Sequence, residues 1–217
     1  MTAGSIVPAL KPKRLVPRDA ATLVLVHRSV GQPRILMGRR RADLAFLANK
    51  FVFPGGRVDA GDRAALSTGE LDPVQTAKLM TGMRGKPSPV RARALAMAAV
   101  RETREETGLV LGDGGRPNLR ELCFFARAIT PPQRPRRYDT RFFMTDAAAV
   151  SSGALGGDGE LVQLAWFTLD EARALELPGI TRLIIEDIAE VLAARSGGHH
   201  QVPFYYHRGG TFRRDLL

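Results

Sequence analysis

The sequence predicts an α/β fold, an α/β/α sandwich with a mixed β-sheet. Three observations predict it. Residues 21–28 and 34–39 are apolar, β-branched runs on either side of the turn Gly31-Gln32-Pro33, the layout of a hairpin. Residues 90–107 carry helical periodicity, with Leu95, Ala98, Ala99 and Val100 on a face to be buried. Residues 160–167 read as a strand, followed by helical stretches from Asp170 and from Thr181 to Ala194. Strands joined by hairpins rather than by helical crossovers give a mixed sheet, with the long helix on one side and the last helix on the other.

The elements follow in order. Residues 1–18, containing Pro and Lys, read as an extended arm, and 196–217 as an aromatic, basic tail that covers a subunit or a substrate or packs as an extension. Between them, 19–195 form one domain. Residues 43–50 are a loop over a site, and 51–53 a short strand running into Pro54-Gly55-Gly56. Within an excursion at about 63–93, residues 71–80 suit a short helix, and Gly82, Gly85, Pro87 and Pro89 mark a loop. Residues 112–117 are a plain turn, 119–129 and 137–145 strands, and 153–159 a flexible glycine loop. Leu183, Ile184, Ile185, Ile188, Val191 and Leu192 form the packing face of the last helix.

Composition bounds the function. The chain has 217 residues, 44% hydrophobic and 25% charged, an ordinary globular balance. No apolar run reaches the ~20 residues that span a bilayer, and the N-terminal residues lack a signal-peptide pattern. The C-terminal Asp215-Leu216-Leu217 is not a peroxisomal address. The lone Cys123 reads as a buried structural thiol, so a reducing, cytoplasmic location is expected. The net charge is +10, with basic clusters at 11–14, 39–41 and 134–141. Arginine suits bidentate phosphate contact, which makes Arg39, Arg136, Arg137 and Arg141 candidates for an anionic substrate; solvated strand edges are the plainer alternative. No nucleic-acid-binding motif accompanies them, so a small-molecule partner is expected rather than a nucleic acid or a membrane. His199, His200 and His207 lack metal-ligand spacing.

The chemistry concentrates in residues 101–109. Glu102, Glu105 and Glu106 are related by i+3 and i+4 and so share one side of a helix. Three crowded carboxylates repel unless a cation offsets them, and hard oxygen ligands suit Mg²⁺ or Mn²⁺. A solvated face with i,i+4 pairs is the plain alternative. Upstream, Gly55 and Gly56 permit close approach of backbone to a ligand, and Asp59 and Asp62 follow.

Residues 56–62 and 101–109 together resemble the signature of the Nudix hydrolase family (MutT-like), a Gly-led acidic loop followed by Arg-Glu-aliphatic-x-Glu-Glu-x-Gly-aliphatic. Thr103 stands at an aliphatic position, Asp62 stands for the usual Glu, and the excursion splits the signature. A box split there, together with Met37-Gly38-Arg39-Arg40 and Ile129-Thr130-Pro131-Pro132, resembles the branch that includes the coenzyme A diphosphatases. The resemblance implies the Nudix fold and a metal-dependent hydrolase that cleaves a nucleoside diphosphate linked to another moiety, coenzyme A or acyl-CoA foremost. ADP-ribose, NADH, other nucleotides, or a silent nucleotide- or RNA-binding module stay open. It implies metal ligands Gly55 or Gly56 (by carbonyl), Glu102, Glu105 and Glu106; Glu160, before its strand, is a further candidate, with a solvated strand start the plainer alternative. It gives Arg101 the role of orienting a glutamate and makes Glu102 and Glu105 the contenders for general base. Many relatives are dimers, so a homodimer is expected on resemblance alone.

Overall fold

The computed structural model describes residues 15–28, 31–112, 115–194 and 201–217. Most of the arm, its basic 11–14 cluster, His199 and His200 therefore lie outside the described residues. The strands are β1 (Arg18–His27), β2 (Arg34–Arg40), β3 (Phe51–Val52), β4 (Gly55–Arg57), β5 (Val110–Leu111), β6 (Cys123–Ile129), β7 (Tyr138–Asp146), β8 (Val150–Ser152), β9 (Leu161–Thr168), β10 (Pro203–Arg208) and β11 (Thr211–Leu216). The helices are α1 (Pro73–Met80), α2 (Pro89–Thr107), α3 (Leu169–Arg173) and α4 (Gly179–Ala193). Residues 119–121, expected as strand, form a 3₁₀ turn capped by the Asn118 side chain. An Asx cap offers the backbone an alternative to the ladder, which overrides the apolar pattern there.

The main sheet runs β11-β10-β6-β7-β1-β2-β3, with β4 also on β1 and β9 also on β2. It is mixed: β1 is parallel to β7 and antiparallel to β2 and β4. Strand alternation sends Leu23, Leu25 and Leu36 to the α2 side, where they meet Leu95, Ala98 and Ala99. It sends Val24, Val26, Ile35 and Met37 to the other side, against Ile184, Ile185 and Ile188 of α4. The sandwich is thus two apolar cores separated by one sheet.

Helix α2 begins at an N-cap, Ser88, whose hydroxyl accepts from the Arg91 amide, with Pro89 in the first turn. It ends at Gly108 with φ 75°, a left-handed cap that lets the chain leave sharply toward β5. The excursion before α2 is integral to the core: Leu71, Leu79 and Met83 are buried beside α2. The tail is a packed extension, since β10 lies parallel to β6 and the β10–β11 hairpin continues the sheet.

Candidate active site

Strand β4 and the acidic segment of α2 meet directly. The Gly55 amide donates to Glu106 Oε2 at 2.8 Å. A Cβ on Gly56 would lie 2.3 Å from the Glu102 carboxyl carbon, so only glycine leaves room for that carboxylate. Gly55 is pressed equally hard from its other side, where a Cβ would fall 2.6 Å from the Ala21 carbonyl oxygen of β1. The two halves of the motif are therefore in contact despite the long excursion between them, and β1 is the rail that holds the glycines against the helix.

Arg101 organises the acidic groups. Its Nε and Nη2 donate to the two oxygens of Asp62 at 2.9 and 3.1 Å. Its Nη1 donates to Glu102 Oε1 at 3.0 Å and Glu105 Oε2 at 2.9 Å. Nη2 also reaches the Arg57 carbonyl at 2.8 Å. The Asp62 hydrogen bond, then the Glu102 charge, hold the guanidinium more firmly protonated than usual. Asp62 is 2% exposed and accepts from the Asp59 amide at 2.7 Å, so this aspartate closes the loop after the glycines.

Glu106 is 2% exposed. Burial pushes its pKa up to about 8; the Gly55 amide opposes that shift, while the Glu160 and Glu102 charges add to it. Burial also raises Glu102, against the pull of Arg101. Glu105 is half exposed, and Glu160 pairs with Arg40 Nη2 at 2.7 Å. Among the described residues no group of three or more His, Cys, Asp or Glu side chains is gathered to hold an ion. The expected set Glu102, Glu105, Glu106 and Glu160 is instead divided between arginines: Arg101 takes Glu102 and Glu105, and Arg40 takes Glu160. Gly55 meets Glu106 through its N–H.

The glycine loop 153–159 is docked rather than free. The Gly156 amide donates to the Thr107 carbonyl at 2.9 Å and the Asp158 amide to the Glu105 carbonyl at 2.7 Å, which satisfies the open end of α2. A Cβ on Gly157 would lie 2.4 Å from the Glu106 backbone. Asp158 Oδ1 then accepts from the Glu160 amide at 2.9 Å, tying Glu160 to the end of the acidic helix.

Of the four expected substrate arginines, Arg141 is held in the core. Arg141 is fully buried, with Nη1 bonded to Asp139 at 2.8 Å and 3.4 Å from Asp19. Burial lowers its pKa to about 10, and its Nε and Nη2 find no hydrogen-bond partner among the described residues. It is a core ion pair inside the sheet face, extended by Arg127 on Asp139 and Arg91 on Asp19. Arg39 has a buried Nε with no hydrogen-bond partner among the described residues, and its charge adds a small pull on Glu176 beside that of Lys50. Arg40, which the motif spacing does not single out, is the arginine whose charge reaches Glu106 and whose Nε donates to the Phe46 carbonyl in the covering loop. Strand parity could have found it, because Leu36 and Met37 already divide between the two cores and place even-numbered positions on the α2 side. Arg137 is committed to the Thr130 and Leu15 carbonyls, and Arg136 is exposed on the β6–β7 connection.

The NUDIX domain family model matches residues 90–188. That stretch is similar to a NUDIX domain. The match begins at the first turn of α2, so the excursion separates the matched stretch from the glycine half of the site. A NUDIX hydrolase from Alicyclobacillus acidocaldarius is 25% identical, with 79% of this chain and 90% of that one covered at a TM-score of 0.61. The NUDIX domain of Shewanella oneidensis NrtR, solved with ADP ribose, is 14% identical over 85% and 95% of the two chains at 0.53. A MutT NUDIX hydrolase from Burkholderia pseudomallei is 20% identical over 80% and 99% at 0.50. The latter two share the fold alone. No curated protein matches the sequence. The NUDIX match and the Alicyclobacillus hydrolase make the chain similar to Nudix hydrolases.

Proposed function

We propose that the NUDIX domain cleaves the pyrophosphate of a nucleoside diphosphate linked to another moiety, with Mg²⁺ or Mn²⁺ and with coenzyme A or an acyl-CoA as the substrate. The observation that carries this reading is the 2.8 Å bond from the Gly55 amide to the buried Glu106 carboxylate, with Glu102 laid against Gly56. The coenzyme A branch rests on the split box and its flanking residues.

Glu102, Glu105, Glu106 and Glu160 offer hard oxygens of the kind a divalent cation takes, with Glu102 laid against Gly56; a cation would draw Glu102, Glu105 and Glu160 from the arginines that now hold them. Glu106 sits where an uncompensated negative charge is costly, so a nearby cation would favour its charged form. When bound, the metal would neutralise pyrophosphate oxygens and make water a better nucleophile. The chain's residues do the rest. Arg101 fixes the carboxyl of Glu102, so it is a positioning residue. Glu105, half exposed and tethered to Arg101, accepts a proton from the attacking water. Arg40 exchanges Glu160 for a substrate phosphate, with Arg136 available at the β6–β7 connection.

The test is hydrolysis of coenzyme A, ADP-ribose, NADH and dinucleoside polyphosphates with Mg²⁺ or Mn²⁺, by the parent chain and by Glu105→Gln and Glu106→Gln. Coenzyme A is expected to be the best substrate and both variants to be slow. Variants as fast as the parent on that substrate would overturn the site; a different best substrate would overturn only the coenzyme A assignment.

A further inference from the structure

Strand β11 is the outer edge of the nine-stranded sheet, and all six of its residues are exposed. Its hairpin turns at Gly209-Gly210, with φ of 59° and 81°, the conformation a two-residue hairpin turn requires. Such a turn is closed by a hydrogen-bonded pair, here Arg208 and Thr211, and bonded pairs then alternate along the ladder. Thr211, Arg213 and Asp215 therefore turn their backbone groups inward to β10. Phe212, Arg214 and Leu216 turn theirs outward. Pro203, opposite Leu216, sits where no N–H is needed. On its inner side the hairpin joins the sheet where Phe204 and Tyr205 pair with Arg127 and Ala128 of β6, which leaves β11 as an open edge.

Backbone parity and side-chain charge select the occupant. An antiparallel copy centred on Arg213 would oppose Arg213 to itself, and one centred on Asp215 would oppose that carboxylate to itself. Centring on Phe212 engages three residues only. Centring on Arg214 engages five: Arg213 faces the other copy's Asp215 twice, and Phe212 faces Leu216 twice. Phe212 and Leu216 are both large exposed hydrophobics, at 48% and 50%. Arg214 meets its own copy at the axis, but its charge is already engaged: Nη2 lies 3.6 Å from Asp187, and Nε donates to the Tyr205 hydroxyl at 3.2 Å.

We propose that β11 is a self-pairing edge, joining two copies of the chain antiparallel about a two-fold axis at Arg214. The pairing adds about six main-chain hydrogen bonds, two for each outward-facing pair, and is independent of the catalytic reading. The charges on this edge, which would repel an unrelated strand, become specific for a second copy.

Sedimentation velocity of the full chain over a micromolar concentration series tests it, with Arg213→Asp, Asp215→Arg and the double exchange. The parent is expected to dimerise. Each single exchange is expected to weaken the dimer about tenfold or more by placing like charges opposite, and the double exchange to restore it. Thermal melts confirm that each variant folds, and Phe212→Lys is an alternative if either charge variant does not. A parent that stays monomeric, or a dimer indifferent to the single exchanges, would overturn the proposal.

Discussion

Gly55 and Gly56 are neighbours in sequence, yet their alanine variants should fail in opposite ways. At Gly56 the new methyl would stand 2.3 Å from the Glu102 carboxyl carbon and 2.5 Å from its Oε2. Ordinary contact is about 3.5 Å, so the carboxyl must retreat by roughly 1 Å. It can do so, because it ends a flexible side chain, and Gly56 is not among the positive-φ glycines. The fold should survive with Tm changed by only a few degrees. A displacement of about 1 Å in a catalytic group costs on the order of 100-fold, or about 2.7 kcal/mol of barrier. At Gly55 the methyl would meet backbone: the Ala21 carbonyl at 2.6 Å and Thr22 Cα at 2.7 Å. Strands β1 and β4 would have to part, costing about 1–3 kcal/mol. The assay is a thermal melt together with steady-state hydrolysis of the best substrate. Gly56→Ala should lose kcat at near-parental Tm, and Gly55→Ala should lose Tm first. A Gly56→Ala enzyme with parental kcat would refute the idea that this glycine exists to admit Glu102.

Further expectations follow from the same contacts. Arg101→Lys keeps a charge but cannot serve Asp62, Glu102, Glu105 and the Arg57 carbonyl together; kcat should fall on the order of 100-fold, with Tm also lowered. Leu79→Ala, in the excursion, should destabilise by about 2–4 kcal/mol in a denaturant titration, because Leu79 is 1% exposed in the core beside α2. Burial raises the Asp187 pKa to about 6, well above the usual aspartate range, against the Tyr205 hydrogen bond and Arg214 and with help from Glu190. A carboxyl whose pKa rises on folding stabilises the fold when protonated, and that contribution fades as pH climbs from about 4 to about 6. The stability of the parent relative to Asp187→Asn should therefore fall across that window, by up to about 3 kcal/mol. A difference that is flat or rises with pH would refute the buried-carboxyl explanation.

Much of this was legible in the sequence because local periodicity carried it. The apolar runs gave β1, β2 and α4, and the i+3, i+4 spacing put Glu102 and Glu106 on the side of α2 that meets the glycines. The Gly-Gly step reads as close approach of backbone to a ligand; what Gly56 meets is the Glu102 carboxylate. What was not legible depends on partners far apart in the chain. Arg141 reads as an exposed strand arginine until Asp19 and Asp139 close around it. Choosing Arg39 over Arg40 turns on strand parity, which a run of three arginines hides. The loop 153–159 reads as flexible from its glycines. Those glycines are there because Gly157 must pass close to the Glu106 backbone and Gly153 close to the Gly108 carbonyl. The tail gave no strand signal because its charged edge residues mask the alternation.

The most direct measurement is Mn²⁺ binding to the parent and to Glu106→Gln, followed by electron paramagnetic resonance without substrate. Binding by the parent, weakened about tenfold or more in the variant, is the predicted result. Equal affinity in both, or no uptake by the parent, would contradict a metal centre built from the β4 glycines and the carboxylates of α2.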